Sequence, residues 1–180
     1  MKSTVRKSIS KKRAGNIRNI AILGDSIIKD IQSHKMKADL PSNNRIYLKS
    51  FRGATTTCMH DYIKPSLKFE PDLIIIHSGT NNVKSEEPKY TAKKILELAE
   101  ICKTANNEVV VSSLIARQDN LNDKVGEVNR ILATKCRDNY FIFCDNSNIS
   151  EQYHLNASKL HLNRQGTAML AVNFIRTIKL

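Results

Sequence analysis

Leu73-Ile74-Ile75-Ile76-His77 is an unbroken aliphatic run, bounded by Pro71-Asp72 on one side and Ser78-Gly79 on the other. A strand with one wet face alternates apolar and polar residues. A short run without alternation belongs instead to a strand covered on both faces, the habit of parallel sheets. Working outward from it, residues 20–23, 45–51, 109–113 and 140–144 read as four further strands. Between them lie helical patterns. Residues 26–34 place Ile27, Ile28 and Ile31 on one face, and a second helix runs through Met59, Tyr62 and Ile63 to a stop near Pro65. Residues 89–104 carry Ile95, Leu98, Ala99 and Cys102 on one stripe, and 122–136 and 165–178 complete the set. Strands alternating with helices predict a three-layer α/β/α fold with a five-stranded parallel sheet. Right-handed crossovers favour the flavodoxin-like strand order 2-1-3-4-5.

The chain has 180 residues, of which 41% are hydrophobic and 26% charged, a composition that excludes wholesale disorder and suits one domain. No apolar run approaches the roughly 18–20 residues of a membrane span. The basic start is followed by no apolar stretch before Ile20, so no signal peptide is read and a cytosolic or nuclear location is expected. Residues 1–18 hold seven Lys and Arg and no acid, which leaves +5 of the net +12 for the remainder. The domain reading is a basic, disordered arm over 1–18 and a folded domain over 19–180. Such an arm attracts polyanions in a salt-sensitive way, with Lys11, Lys12 and Arg13 as candidate nucleic-acid contacts. A solvated tail is the plainer alternative. The body shows no nucleic-acid signature of its own: aromatic residues are 6%, Trp is absent, and Tyr and Phe lie mostly in predicted core elements. Of the four cysteines, none forms a Cys-x-x-Cys pair or joins histidine at zinc-ligand spacing. They read as reduced, partly buried thiols without a catalytic role.

In an open parallel sheet, ligands gather at the carboxyl ends of the strands. There the sequence places Gly24-Asp25-Ser26, Arg52-Gly53-Ala54-Thr55 and Gly79-Thr80-Asn81-Asn82, one block after each of the first three strands. Leu160-His161-Leu162-Asn163 precedes the final helix, at the end of an Asn- and Ser-rich connection over 146–163. Connections of that length inside compact domains are usually functional. Taken singly, Ser26 is a favoured helix cap, Gly53 and Gly79 are ordinary turn residues, Asn81 is a cap and His161 a loop histidine. Together they bring sequence-distant polar groups to one rim of one sheet.

In this order and at these junctions the four blocks resemble the SGNH, or GDSL-type, hydrolase family, from about residue 19 to the carboxyl end. The nearest likeness is to esterase-like domains of some retrotransposon-encoded proteins, which also carry basic flanks. The resemblance implies Ser26 as nucleophile and His161 as base. It also implies an oxyanion hole made of the backbone N–H groups of Ser26 and Gly53 and the side-chain amide of Asn81. A serine hydroxyl needs such a base, and acyl transfer needs such donors where negative charge develops. No cofactor enters this chemistry. Asp25 shapes its block and has no catalytic role, Asn82 stands where many members have Asp, and His77 reads as strand-end packing.

One departure matters. The family's last block has aspartate three residues before the histidine; here Ser158 holds that place. A hydroxyl can accept a hydrogen bond from imidazole but cannot stabilise imidazolium as a carboxylate does. Three readings stay open: a Ser26–His161 dyad with a backbone or water orienter, a substitute carboxylate with Asp145 as candidate, or lost catalysis with the pocket kept for binding. The expected function is a serine esterase acting on small acyl or acetyl esters through a Ser26 acyl-enzyme. The alternative is a catalytically weak or inactive binding or assembly module of a mobile-element protein with a nucleic-acid-binding arm. The expected partners are thus a small ester and, through the arm, nucleic acid, with no membrane span; oligomeric state is left open.

Overall fold

The computed structural model describes residues 17–104 and 106–180. The arm positions Lys11, Lys12 and Arg13 lie outside the described residues. Five strands, β1 (Arg18–Gly24), β2 (Asn44–Ser50), β3 (Leu73–His77), β4 (Glu108–Ser112) and β5 (Ile142–Cys144), pair in parallel in the order β2-β1-β3-β4-β5. This is the order that right-handed crossovers predict. The helices are α1 (Ser33–Ala38), α2 (Thr56–Tyr62), α3 (Lys64–Leu67), α4 (Pro88–Cys102), α5 (Asn122–Asp138) and α6 (Arg164–Ile178). Among the described residues no helix is long and apolar enough to cross a membrane.

The sheet separates two apolar clusters, and β3 supplies both. Ile74 and Ile76 pack with residues of α2, α4 and α5, whereas Leu73 and Ile75 pack with residues of α1 and α6. That double duty is why the run at 73–77 has no alternation. At the sheet edge, β2 alternates: Ile46 and Leu48 turn inward while Arg45, Tyr47 and Lys49 face out. α4 buries Ala92, Ile95, Leu98, Ala99 and Cys102, the stripe its 3.6-residue period predicts.

Local geometry departs from the sequence reading in four places. Residues 26–34 do not form one helix. A single 3-10 turn, Ser26–Ile28, is capped by the Asp25 carboxylate accepting from Ile27 N–H at 3.0 Å, and α1 begins later. Ile27, Ile28 and Ile31 are all buried, so the apolar spacing is satisfied without a long helix. Pro65 is no stop. It sits in the first turn of α3, where its missing N–H has no partner to lose. The last strand is shorter than 140–144 because Tyr140 turns the chain with φ 58°. Arg18, assigned to the arm, is the first residue of β1. Its guanidinium donates to the Ile178 carbonyl at 2.8 Å and to Glu108 at 3.0 Å.

At the end of β1 the backbone passes so close to β3 that a Cβ on Gly24 would lie 2.5 Å from the His77 carbonyl oxygen. The Asp25 N–H bond to that same oxygen, 3.0 Å long, leaves no room for either strand to withdraw. Gly24→Ala is expected to destabilise the fold by about 1–3 kcal/mol, as overpacking does. A lower urea midpoint at unchanged m-value measures it.

Candidate active site

Ser26 opens the 3-10 turn directly after β1, so its hydroxyl stands at the carboxyl rim of the sheet. The loops after β1 and β2 are joined by Phe51 N–H to the Gly24 carbonyl and by Ser50 Oγ to the Asp25 carbonyl, both at 2.8 Å. Gly53 holds φ +72° in a turn closed by Ala54 N–H to the Phe51 carbonyl at 3.2 Å. That left-handed conformation costs glycine little and a side chain more. The loops after β2 and β3 are joined next. Asn81 Nδ2 donates to the Ala54 carbonyl at 3.0 Å, and buried Asn82 accepts from Thr56 N–H at 3.0 Å while donating to Thr56 Oγ1 at 3.1 Å. An amide nitrogen has two hydrogens, so Asn81 keeps a second one for a ligand. The blocks carrying Ser26, Gly53 and Asn81 are thus held to one another by hydrogen bonds along one edge of the sheet.

His161 reaches this rim from 135 residues away, with Nε2 at 3.1 Å from Ser26 Oγ. It rides on a self-closed loop. Leu155 and Leu162 form an antiparallel bridge, Asn156 N–H donates to the His161 carbonyl at 2.8 Å, and Asn163 N–H donates to the His154 carbonyl at 2.8 Å. Lys159, with φ 58°, makes the return. Asn163 then caps α6 by accepting from Gly166 N–H at 2.9 Å.

The other ring nitrogen, Nδ1, lies 3.3 Å from Ser158 Oγ. Ser158 donates its only hydroxyl hydrogen to Asn156 Oδ1 at 2.5 Å, so towards the imidazole its oxygen can only accept. Nδ1 therefore carries the proton and Nε2 is bare, facing the Ser26 hydroxyl. Burial, then the Lys29 ammonium, push the His161 pKa below the ordinary histidine value, with Asp25 and Asp30 opposing. The neutral ring is favoured.

Asp145, the sequence candidate for an orienting carboxylate, is engaged elsewhere. It is exposed at the exit of β5, and its oxygens accept from Ser147 N–H at 2.9 Å and Ser147 Oγ at 2.8 Å. An Asp beginning a turn satisfies itself on the backbone two residues on, and Ser158 takes the place beside the ring. Asn156 was not singled out from the sequence. Its signal was the Asn-Ala-Ser spacing, which suits an Asx turn, and Ser158 N–H indeed donates to Asn156 Oδ1 at 2.9 Å.

Below the rim, His77 is fully buried with Nδ1 at 2.9 Å from Ser112 Oγ, and burial lowers its pKa. Ser112 also accepts from Asn146 Nδ2 at 2.8 Å, and Asn146 Oδ1 accepts from Asn173 of α6 at 3.0 Å. This buried chain ties β3, β4, the start of the long connection and α6 together. Cys102, Cys136 and Cys144 are buried, burial pushing the first two thiols up to about 12. Cys58 is exposed, contrary to the partly buried reading for all four.

The fold is shared with solved structures of low sequence identity. A member of the lipolytic G-D-S-L family from Veillonella parvula superposes with TM-score 0.78 at 18% identity, covering 90% of this chain and 98% of that one. The aryl esterase of M. smegmatis gives 0.79 at 15% identity over 90% and 98%. An acetylxylan esterase from Geobacillus stearothermophilus gives 0.77 at 15% over 91% and 95%. Curated proteins offer no significant match to the sequence. The sequence profile of the GDSL-like lipase/acylhydrolase family matches residues 22–169, from within β1 to within α6. Profile, strand order and the four blocks agree, and the chain belongs to the GDSL-like lipase/acylhydrolase family.

Proposed function

We propose that this protein is a serine ester hydrolase acting on small acyl esters, acetyl esters among them, through a Ser26 acyl-enzyme with His161 as base. The observation that carries this reading is the 3.1 Å approach of Ser26 Oγ to His161 Nε2, the nitrogen the Ser158–Asn156 relay leaves unprotonated. Ser26 Oγ attacks the acyl carbon and passes its proton to Nε2. The charge that develops on the former carbonyl oxygen falls to Ser26 N–H, Gly53 N–H and the free amide hydrogen of Asn81. His161 returns the proton to the leaving alkoxide, then takes one from the water that releases the acid. Ser158 holds the tautomer without a charge to offset imidazolium, so turnover is below that of a carboxylate triad. Neighbours of the same fold named as aryl esterase and acetylxylan esterase support the choice of small acyl groups.

Hydrolysis of p-nitrophenyl acetate above the buffer rate, together with fluorophosphonate labelling that peptide mass mapping assigns to Ser26, tests the reading. A protein that neither hydrolyses the ester nor takes the label at Ser26 overturns it. The uncharged partner on Nδ1 favours a second reading, in which the domain is a weakly active or inactive scaffold of a mobile-element protein and the cationic segment before β1 holds nucleic acid.

A further inference from the structure

The outward side of β2 gathers aromatic rings and cations that the sequence scatters over 45–69. Tyr47 meets Phe69 with ring centroids 6.0 Å apart and planes tilted by 44°. Four residues further along the chain, Phe51 stacks on Tyr62 at 5.4 Å and 29°. Between the two pairs Lys49 lies with Nζ 5.4 Å from the Phe51 centroid. Three of these rings stand outside the core, although Tyr47 and Tyr62 fall in a predicted strand and a predicted helix: Phe69 is 69% exposed, Tyr62 48% and Tyr47 41%. Beside the first pair opens a cleft of about 330 Å³ lined also by Arg45, Ser66 and the β1 residues Asn19 and Ile20. β2 is the outermost strand, so no further strand continues the sheet beyond this cleft.

Arg45, Lys49 and Lys68 are exposed, and none is ion-paired among the described residues. In the sheet register Arg45 stands opposite Asn19. The first described residue, Ile17, is thus two positions along the chain from Asn19, which lines this cleft. A groove between α4 and α5 holds a single exposed ring, Tyr90, and its charges offset one another: Glu87, Glu97 and Glu100 against Lys89, Lys93 and Lys135.

We propose that this β2 face binds single-stranded nucleic acid, its bases stacking on Tyr47, Phe69 and Tyr62 while Arg45, Lys49 and Lys68 take the phosphates. Rings in water cost free energy unless something flat and apolar covers them, and interleaved cations specify that the cover is a polyanion. Tyr47 and Phe51 are about 13 Å apart along the strand at about 3.3 Å per residue, room for more than one base. A duplex keeps its base faces to itself and cannot use the rings; a single strand can.

Anisotropy of a fluorescein-labelled 20-nucleotide oligouridylate with the full chain tests this. Tyr47→Ala/Phe69→Ala is expected to bind at least about tenfold more weakly, the scale of one lost stacked base. Tyr47→Trp retains affinity. Arg45→Ala/Lys49→Ala is expected to lower the slope of log K against log salt by about 1.4, or about 0.7 per phosphate contact on a single strand. Duplex RNA of equal length and heparin compete more weakly than the single strand. Unchanged thermal midpoints show that the exposed substitutions leave the fold intact, and ester hydrolysis, in which Tyr47 and Phe69 take no part, stays at the wild-type rate. The proposal is overturned if the double aromatic variant binds like wild type, if heparin competes as well as the single strand at equal charge, or if no binding is seen at about 50 mM salt.

Discussion

Ser26→Ala brings the hydrolysis of p-nitrophenyl acetate down to the buffer rate, and His161→Ala lowers kcat by about 10²–10⁴-fold, the usual worth of a positioned general base. The first removes the atom that forms the acyl-enzyme; the second leaves the hydroxyl and takes away the proton acceptor 3.1 Å from it. Their pH behaviour separates base catalysis from mere folding effects. Burial and Lys29 set the His161 pKa below the ordinary value, about 6.5 for a free histidine. The active form is the neutral ring, so activity is full above that lowered value and is lost as pH falls through it. The acid limb of kcat/KM is therefore expected below about pH 6.5, and a limb at or above that point contradicts the assignment. The His161→Ala variant is expected to lose the limb altogether.

Ser158→Asp should raise kcat by about 10²-fold. Losing the carboxylate from a complete triad costs about 10⁴ in turnover, partly through the wrong tautomer and partly through an unstabilised imidazolium. Here the tautomer is already set, since Ser158 hands its hydrogen to Asn156 and accepts from Nδ1. Only the electrostatic share remains to be gained. A carboxylate beside the ring also favours its protonated form, so the acid limb moves upward with the rate. The new carboxylate faces Asn156 Oδ1, which now accepts from the Ser158 hydroxyl, and two acceptors repel. Asn156→Ser/Ser158→Asp is accordingly expected to exceed the single variant. A rate unchanged in both, with the limb unmoved, would mean that position 158 does not govern the imidazole.

The layers of the fold were legible because β3 is buried on both sides, and a two-sided strand writes an unbroken aliphatic run such as 73–77. The rim was legible as well: glycines and polar residues after three strands mark where backbones approach and side chains converge. What stayed hidden depended on hydrogen bonds no period encodes. The choice of a 3-10 turn after Ser26 is made by the Asp25 carboxylate. The choice between Ser158 and Asp145 beside the ring is made by which one its neighbours occupy, and Ser147 had already claimed Asp145. The aromatic face of β2 was missed because Tyr47 and Phe69 meet only after α2 and α3 fold back along the edge strand. Tyr and Phe in strand and helix patterns read as interior until that edge is known to be uncovered.

The loop that holds His161 closes on itself through its own bridge and backbone bonds, and it is anchored to the remainder by the Gln118 N–H bond to the Lys159 carbonyl, by Leu162 buried in the core and by the cap on α6. Changes in the loop's outer residues can retune the imidazole while leaving the sheet untouched, and a swap of the whole piece between relatives would carry the base, its tautomer and its orienting neighbour together.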